Sequence, residues 1–261
     1  MSIETRTDNG VATITLADPE TRNAITGEEM IEDLLDALHD AETDPDVVVT
    51  ILNADGPAFS SGGNVKDMAA GEGLFGGSPV DQVEAYRDSI QQLTRFLATT
   101  DLVTIAEVDG PAVGAGFDLV LGCDLRLGSR KARFAHTFIE MGIIPGDGGA
   151  WLLPRVVGWQ RATELALTAR FITSAEAESY GILLEVVPED KLHARVTELA
   201  RSIASKPKPA VVMAKRLLRQ ARGMDLDGFL EFSAAMQAIA HTTPEHLTAV
   251  ADYVERLKNR D

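Results

Sequence analysis

Two glycine-rich segments carry the features best able to do chemistry. Ser60-Ser61-Gly62-Gly63-Asn64 follows the apolar run 47–52, and Gly114-Ala115-Gly116 follows the apolar run 103–108. A glycine turn that opens a helix presents unpaired backbone N–H groups at the positive end of the helix dipole. Two such turns side by side can aim two N–H groups at one oxygen and stabilise negative charge developing on a carbonyl. Glycine and alanine suit this use, because a larger side chain blocks the backbone's approach. Proton-transfer groups must come from side chains. Asp118 falls in the short helix behind the second turn, where an unpaired buried carboxylate is costly and therefore points to a role. Asp147 precedes a helix predicted from about Gly148, where aspartate is also a good cap.

The elements that must position these groups can be read along the chain. Val11-Ala12-Thr13-Ile14-Thr15-Leu16 alternates as a strand, and with the turn Asp8-Asn9-Gly10 and the run 3–7 it predicts a hairpin. Thr26 and Glu29 have capping-box spacing ahead of Ile31, Leu34, Leu35 and Leu38, which recur as on one helix face. Residues 71–80 are glycine-rich and read as a loop, followed by a helix from about Val83 to Leu97. The order strand, glycine turn, helix thus occurs twice, which predicts an α/β core of repeated ββα units. From Trp159 the pattern becomes helical. Thr173 and Glu176 cap one helix and Gly181 ends it, and three more begin near Pro209, Leu226 and Pro244. Phe229, Phe232, Met236 and Ile239, then Leu247, Val250 and Val254, form an apolar stripe on the last pair. We divide the chain into residues 1–200, the core with the site, and 201–261, a helical region that covers the core or pairs with another subunit.

Composition narrows the function. The 261 residues hold 24 Lys plus Arg against 40 Asp plus Glu, a net charge of -16. That balance argues against non-specific nucleic-acid binding, which depends on cations neutralising phosphates. No apolar run reaches the ~18 residues of a membrane span, and the amino terminus resembles no secretory signal. One cysteine, Cys123, excludes an intrachain disulfide framework and fits a reducing cytoplasm; its apolar setting reads as packing. No His/Cys cluster has zinc spacing and no EF-hand loop occurs, so no metal is expected.

The motifs resemble those of the crotonase (enoyl-CoA hydratase/isomerase) superfamily. Residues 58–68, AFSSGGNVKDM, match its first oxyanion segment, and 108–119, VDGPAVGAGFDL, match the second, with Cys123-Asp124 following. Arg22-Asn23-Ala24 matches the early CoA-contacting element, and 142–149, GIIPGDGG, matches G-x-x-P-x-x-G-G. Four motifs in order span nearly the whole chain. The resemblance implies a crotonase-like spiral of ββα units with a C-terminal trimerisation region, giving a homotrimer or dimer of trimers. It implies an acyl-CoA thioester substrate, with coenzyme A as part of the substrate and no separate cofactor. Gly63 and Ala115 would supply the oxyanion N–H groups, and Arg22, Ala24, Ser61, Gly62, Asn64 and Val65 would contact the thioester's CoA.

The acid–base groups depart from the pattern. The first of the two glutamate positions of the family's hydratases holds Asp118, a shorter carboxylate, and the second holds Phe138, which transfers no proton. Asp147 is the natural substitute, assisted by Asp118. The Pro-Gly-Asp-Gly around it resembles the β-diketone hydrolase branch, which also uses a histidine; here the nearest, His136, lies two residues from that position and reads as a core or loop residue. Glu140 is a further carboxylate, which on a strand would share the face of Phe138. Enoyl-CoA hydration is the leading expectation, with isomerisation or C–C hydrolysis through Asp147 as alternatives. A non-catalytic acyl-CoA binder is the alternative from another class. A dinucleotide fold is disfavoured, because Leu119 replaces the third glycine of G-x-G-x-x-G. The acid-free stretch 201–222 holds Arg201, Lys206, Lys208, Lys215, Arg216, Arg219 and Arg222. Its helical face reads as solvated or as a contact for CoA phosphates.

Overall fold

A computed structural model describes residues 2–259. Strands β1 (Ile3–Asp8) and β2 (Val11–Leu16) pair antiparallel through the expected hairpin. Asn9 and Gly10 hold φ of 50° and 77°, the left-handed turn that matches the twist of the two strands. Helix α1 (Glu28–Thr43) follows, then β3 (Val49–Ala54), α2 (Val65–Ala70) and a 3-10 turn at Gly73–Phe75. Helices α3 (Pro79–Asp88) and α4 (Ile90–Thr99) lead to β4 (Val103–Val108) and β5 (Pro111–Val113). Next come α5 (Ala115–Gly122), β6 (Leu125–Ser129), β7 (Arg133–Ala135) and a second 3-10 turn, Thr137–Met141. The chain continues through α6 (Gly149–Val157), α7 (Trp159–Thr168), β8 (Ile172–Thr173), α8 (Ser174–Ser179) and β9 (Glu185–Val187). It ends with α9 (Glu189–Ala204), α10 (Lys208–Gln220), α11 (Leu226–Ala240) and α12 (Pro244–Lys258).

Six strands form a sheet in the order β1-β2-β3-β4-β6-β9, parallel beyond the first hairpin, and β5-β7-β8 form a smaller one. All six residues of β4 are buried, as expected of a central parallel strand covered on both faces. One side is packed by α1, α4 and α5 through Leu34, Leu38, Leu93, Leu97 and Phe117. The other is packed by α9, whose Leu192, Val196 and Ala200 meet Val49, Ile51 and Leu127. No helix is long and apolar enough to cross a membrane among the described residues.

Several local expectations need revision. Helix α1 starts one residue after Gly27 with no side-chain cap, because the Thr26 hydroxyl is used elsewhere, accepting the Asn64 N–H at 2.9 Å. The helix expected over 83–97 is two helices. They break at Ser89 (φ -123°, ψ -101°), whose hydroxyl donates to the Ala85 carbonyl, and Ser78 with Asp81 caps the first of them. Thr173 and Glu176 do form a capping box, and Gly181 follows at φ 75°. The division after residue 200 cuts α9, which packs on the sheet and runs on to Ala204. Beyond it, α10, α11 and α12 contain no buried residue.

Candidate functional site

The two glycine turns are stitched together by backbone. Ser60 donates its N–H to the Pro111 carbonyl at 3.2 Å and accepts from the Val113 N–H at 3.0 Å. Its hydroxyl donates to the Asn23 carbonyl at 2.6 Å and accepts from the Gly62 N–H at 3.1 Å. Two glycines permit this contact. A Cβ on Gly62, at φ 80°, would lie 2.3 Å from the Val113 carbonyl oxygen, and one on Gly116 would lie 2.5 Å from the Ser60 Cβ. Among the described residues, neither the Gly63 N–H nor the Ala115 N–H has an acceptor. Both residues line a cavity of about 320 Å³. Ala115 is the first residue of α5, so its free N–H stands at the positive end of a helix eight residues long.

The Arg22–Ala24 segment is held against the first turn. Ser61 donates to the Arg22 carbonyl at 2.9 Å, and Ile25 donates to the Gly62 carbonyl at 2.9 Å. Arg22 and Asn23 both have positive φ, 59° and 55°. The buried Asn23 side chain fixes that turn by donating to the Asp55 and Ala58 carbonyls. Asn64 caps α2 by accepting the Lys66 N–H. Of the residues expected to contact the CoA part, Ser61 and Val65 line the cavity, while Arg22, Ala24, Gly62 and Asn64 lie next to it in the same stitched segment.

Across the cavity stand Phe138 and Asp147, with Leu74, Phe75 and Tyr86 completing the wall. The loop 71–77 reaches the cavity through its 3-10 turn. Asp147 is 6% exposed. Burial, then the neighbouring Asp118 carboxylate, push its pKa up to about 7, with His136 acting in the opposite sense. The Tyr86 phenol is itself raised, by burial and by the nearby Asp147 charge. Backbone contacts hold Asp147 in place: Thr94 Oγ1 donates to its carbonyl at 2.5 Å, and Gln91 Nε2 donates to the Gly146 carbonyl at 2.9 Å. Asp147 is not a helix cap. Gly148 takes the cap position of α6 without a side-chain bond, and the first N–H of that helix, on Gly149, goes to Asp118 Oδ2 at 2.9 Å.

Asp118 does not line the cavity. It is 2% exposed and sits behind the wall, with Oδ1 held by His136 Nε2 at 2.6 Å. Its direct participation in proton transfer is therefore replaced by a place in the supporting layer. From sequence His136 reads as a core or loop residue, because its pairing with Asp118, 18 positions earlier, leaves no local signal there. Glu140 lies on a 3-10 turn rather than a strand, is exposed, and still borders the cavity. Cys123 follows α5, is buried, and burial lifts its thiol pKa to about 12, as fits packing.

The basic stretch contributes nothing to this cavity within the chain. Arg201, Lys208, Lys215, Arg216 and Arg219 bond to the body instead. Lys208 donates to the Asp44 and Pro45 carbonyls, and Lys215 to Asp124 and the Leu102 carbonyl. Arg216 and Arg219 both hold Asp101, and Arg201 holds Asp8. Within the single chain this face therefore fastens α10 to the core.

Residues 6–260 match the family described as enoyl-CoA hydratase/isomerase. The chain belongs to that family. A 1,2-epoxyphenylacetyl-CoA isomerase of Escherichia coli K12 is 30% identical over 249 residues, covering 95% of this chain and 94% of the relative. A 4-chlorobenzoyl coenzyme A dehalogenase of an Arthrobacter species is 30% identical over 227 residues, 85% of this chain and 79% of the relative. The crystal structure of an enoyl-CoA hydratase from Bacillus anthracis superposes with a TM-score of 0.91 at 28% identity, covering 98% and 97% of the two chains. The crotonase-type α/β fold with its C-terminal helices is thereby shown. Enoyl-CoA hydratase/isomerase relatives thus carry the names of several reactions on one backbone, so the side chains facing the cavity must choose among them.

Proposed function

We propose that the protein is an acyl-CoA enzyme that holds a thioester carbonyl on the Gly63 and Ala115 N–H groups and moves protons with Asp147. The observation that carries this reading is the pair of unpartnered N–H groups facing the same cavity as a buried carboxyl whose pKa is pushed to about 7. A carboxyl poised there is half ionised at neutral pH and can both take and return a proton. The N–H pair stabilises the enolate formed meanwhile; each donor is worth roughly 3 kcal/mol in the transition state. Hydration of a 2-enoyl-CoA is our leading assignment, supported by the family and by the hydratase likeness. In it, ionised Asp147 takes a proton from water as the water oxygen bonds to the β-carbon, and then returns that proton to the enolate α-carbon.

One observation favours isomerisation as the second reading: Asp147 is the one buried carboxylate bordering the cavity among the described residues, and Phe138 occupies the facing position. A single carboxyl suffices to carry a proton from one carbon to another. C–C hydrolysis through Asp147 is the third reading, without a histidine at the cavity, since His136 is turned to Asp118. Coenzyme A enters as part of the substrate and no other cofactor is required. We assign the enzyme to the cytoplasm, in keeping with its single buried cysteine. We further propose a homotrimer or a dimer of trimers, because α11 and α12 leave Leu226, Leu230, Leu247 and Tyr253 more than half exposed in the single chain. A mass of three or six chains in sedimentation would support that assembly, and a monomer would refute it. Incubation with a panel of enoyl-CoA and 3-oxoacyl-CoA substrates tests the chemistry. Gain of one water supports hydration, an unchanged mass with altered ultraviolet absorbance supports isomerisation, and binding with no turnover leaves only the acyl-CoA binder.

A further inference from the structure

Behind the cavity wall, two buried side chains are spent on each other and on the turn that carries Asp147. Asp118 Oδ1 meets His136 Nε2 at 2.6 Å, and Oδ2 accepts the Gly149 N–H at 2.9 Å. The space is filled: a Cβ on Gly149 would lie 2.1 Å from Asp118 Oδ1, so only glycine fits against the carboxylate. His136 is packed edge-on between Phe117 and Phe138, with centroids 5.8 and 5.1 Å away. Its second nitrogen, Nδ1, is buried with no partner among the described residues.

That orphan nitrogen fixes the charge of the pair. An N–H at Nδ1 would be a buried donor without an acceptor, which costs more than a bare lone pair. The ring proton therefore sits on Nε2 and is donated to Asp118. With Nε2–H donating to Oδ1 and the Gly149 N–H to Oδ2, both Asp118 oxygens already accept a hydrogen bond, as suits a carboxylate. Burial raises the Asp118 pKa on balance, and the two donors work against that rise by favouring its charged form. The pair then carries one negative charge with no cation to balance it.

We propose that Asp118 and His136 form a buried positioning pair, which pins the Asp147 turn through Gly149 and sets one uncompensated negative charge beside the Asp147 carboxyl. The pair touches no substrate; it acts through Asp147, and the inference rests on the acid–base role given to Asp147 above. The other titratable groups around Asp147 do not replace it. Tyr86 from α3 is neutral, its phenol raised further by burial, and Glu140 borders the cavity from its exposed rim. His136 would pull the other way only when doubly protonated. A phenylalanine at 138 in front and an aspartate at 118 behind thus belong together: the first removes a proton carrier from the wall, and the second tunes the one that remains.

The test is the titration of Asp147 in the substrate-free protein, followed by carboxyl carbon NMR and identified by the signal that Asp147→Asn removes. Asp118→Asn removes the charge and should lower the Asp147 midpoint by about one pH unit. His136→Leu leaves Asp118 in place but without its donor, so that Asp118 binds a proton and the midpoint falls likewise. This second variant keeps the test open should Asp118→Asn fold poorly. His136→Gln retains an N–H donor and should leave the midpoint near that of the wild type. The acid limb of kcat/KM should move with the NMR midpoint in each. Unchanged midpoints in Asp118→Asn and His136→Leu, or an equal fall in His136→Gln, would overturn the proposal. A failure of the acid–base reading shows up separately, as absent turnover in a wild type whose Asp147 still titrates as described.

Discussion

The two sides of the cavity are built by different means. On one side, the Gly63 and Ala115 N–H groups are main-chain atoms, placed by glycines at 62 and 116 that let two turns touch through Ser60. On the other, the working group is a side chain, Asp147, with Asp118 and His136 behind it and Phe138 beside it. The main-chain side depends on the fold and tolerates few changes. The side chains that face the cavity, Phe138 and Asp147, can be varied without altering the main-chain contacts between the two turns. Relatives named for isomerase and dehalogenase reactions, and a hydratase that superposes closely, fit that division: a shared means of stabilising charge, with separately varied means of moving atoms.

Substitutions on each side sharpen the contrast. Asp147→Asn keeps the shape and removes the proton carrier, so turnover of the preferred acyl-CoA should fall about 10²–10⁴-fold with little change in binding. Ala115→Pro deletes one oxyanion donor at a first-turn helix position that proline fits, and should cost about 10²–10³-fold in kcat. Ala115→Gly, which keeps the N–H, should stay close to wild type. Equal losses in the proline and glycine variants would show that the donor is not what matters there.

A smaller effect separates the two sides by stability. The Asp147 carboxyl holds its proton in the folded state up to about 7, against 3.8 for the unfolded chain. Its contribution is complete below pH ~4 and is lost as pH rises through the folded midpoint. Asp147→Asn should therefore remove that decline and be the more stable protein above neutrality, by on the order of a few kcal/mol in denaturant unfolding. Oxyanion-side variants should leave the pH dependence unaltered. The smallest effect concerns α10. Lys215→Met breaks the pair between a mostly buried lysine and the exposed Asp124 and should cost about 1 kcal/mol of stability while leaving KM for the CoA thioester unchanged. A raised KM would return the basic stretch to the substrate.

The main-chain side was legible in the sequence, because glycine turns after apolar strands are local and their demand for space is written in residue type. Much of the layered core and the start of α11 and α12 followed from periodicity in the same way. The side-chain side was only partly legible. Asp147 stood out beside Phe138, but its reading as a cap failed, because the N–H it seemed placed to take belongs to Asp118, 31 residues away. The Asp118–His136 pair spans 18 residues and joins two elements that only tertiary packing brings together. The basic stretch was legible as charge but not as contacts, because its partners Asp101 and Asp124 lie about a hundred residues upstream. Thr26 was spacing without geometry, its hydroxyl drawn away to Asn64.

The pH dependence of kcat/KM for wild type, measured beside Asp147→Asn on the same 2-enoyl-CoA, bears most directly on Asp147 as the proton carrier. Wild-type kcat/KM should rise with pH through a single midpoint near 7, where burial and Asp118 place this carboxyl, and then level off. A profile that is flat across the neutral range, or an Asp147→Asn variant that keeps the wild-type rate and limb, would contradict it.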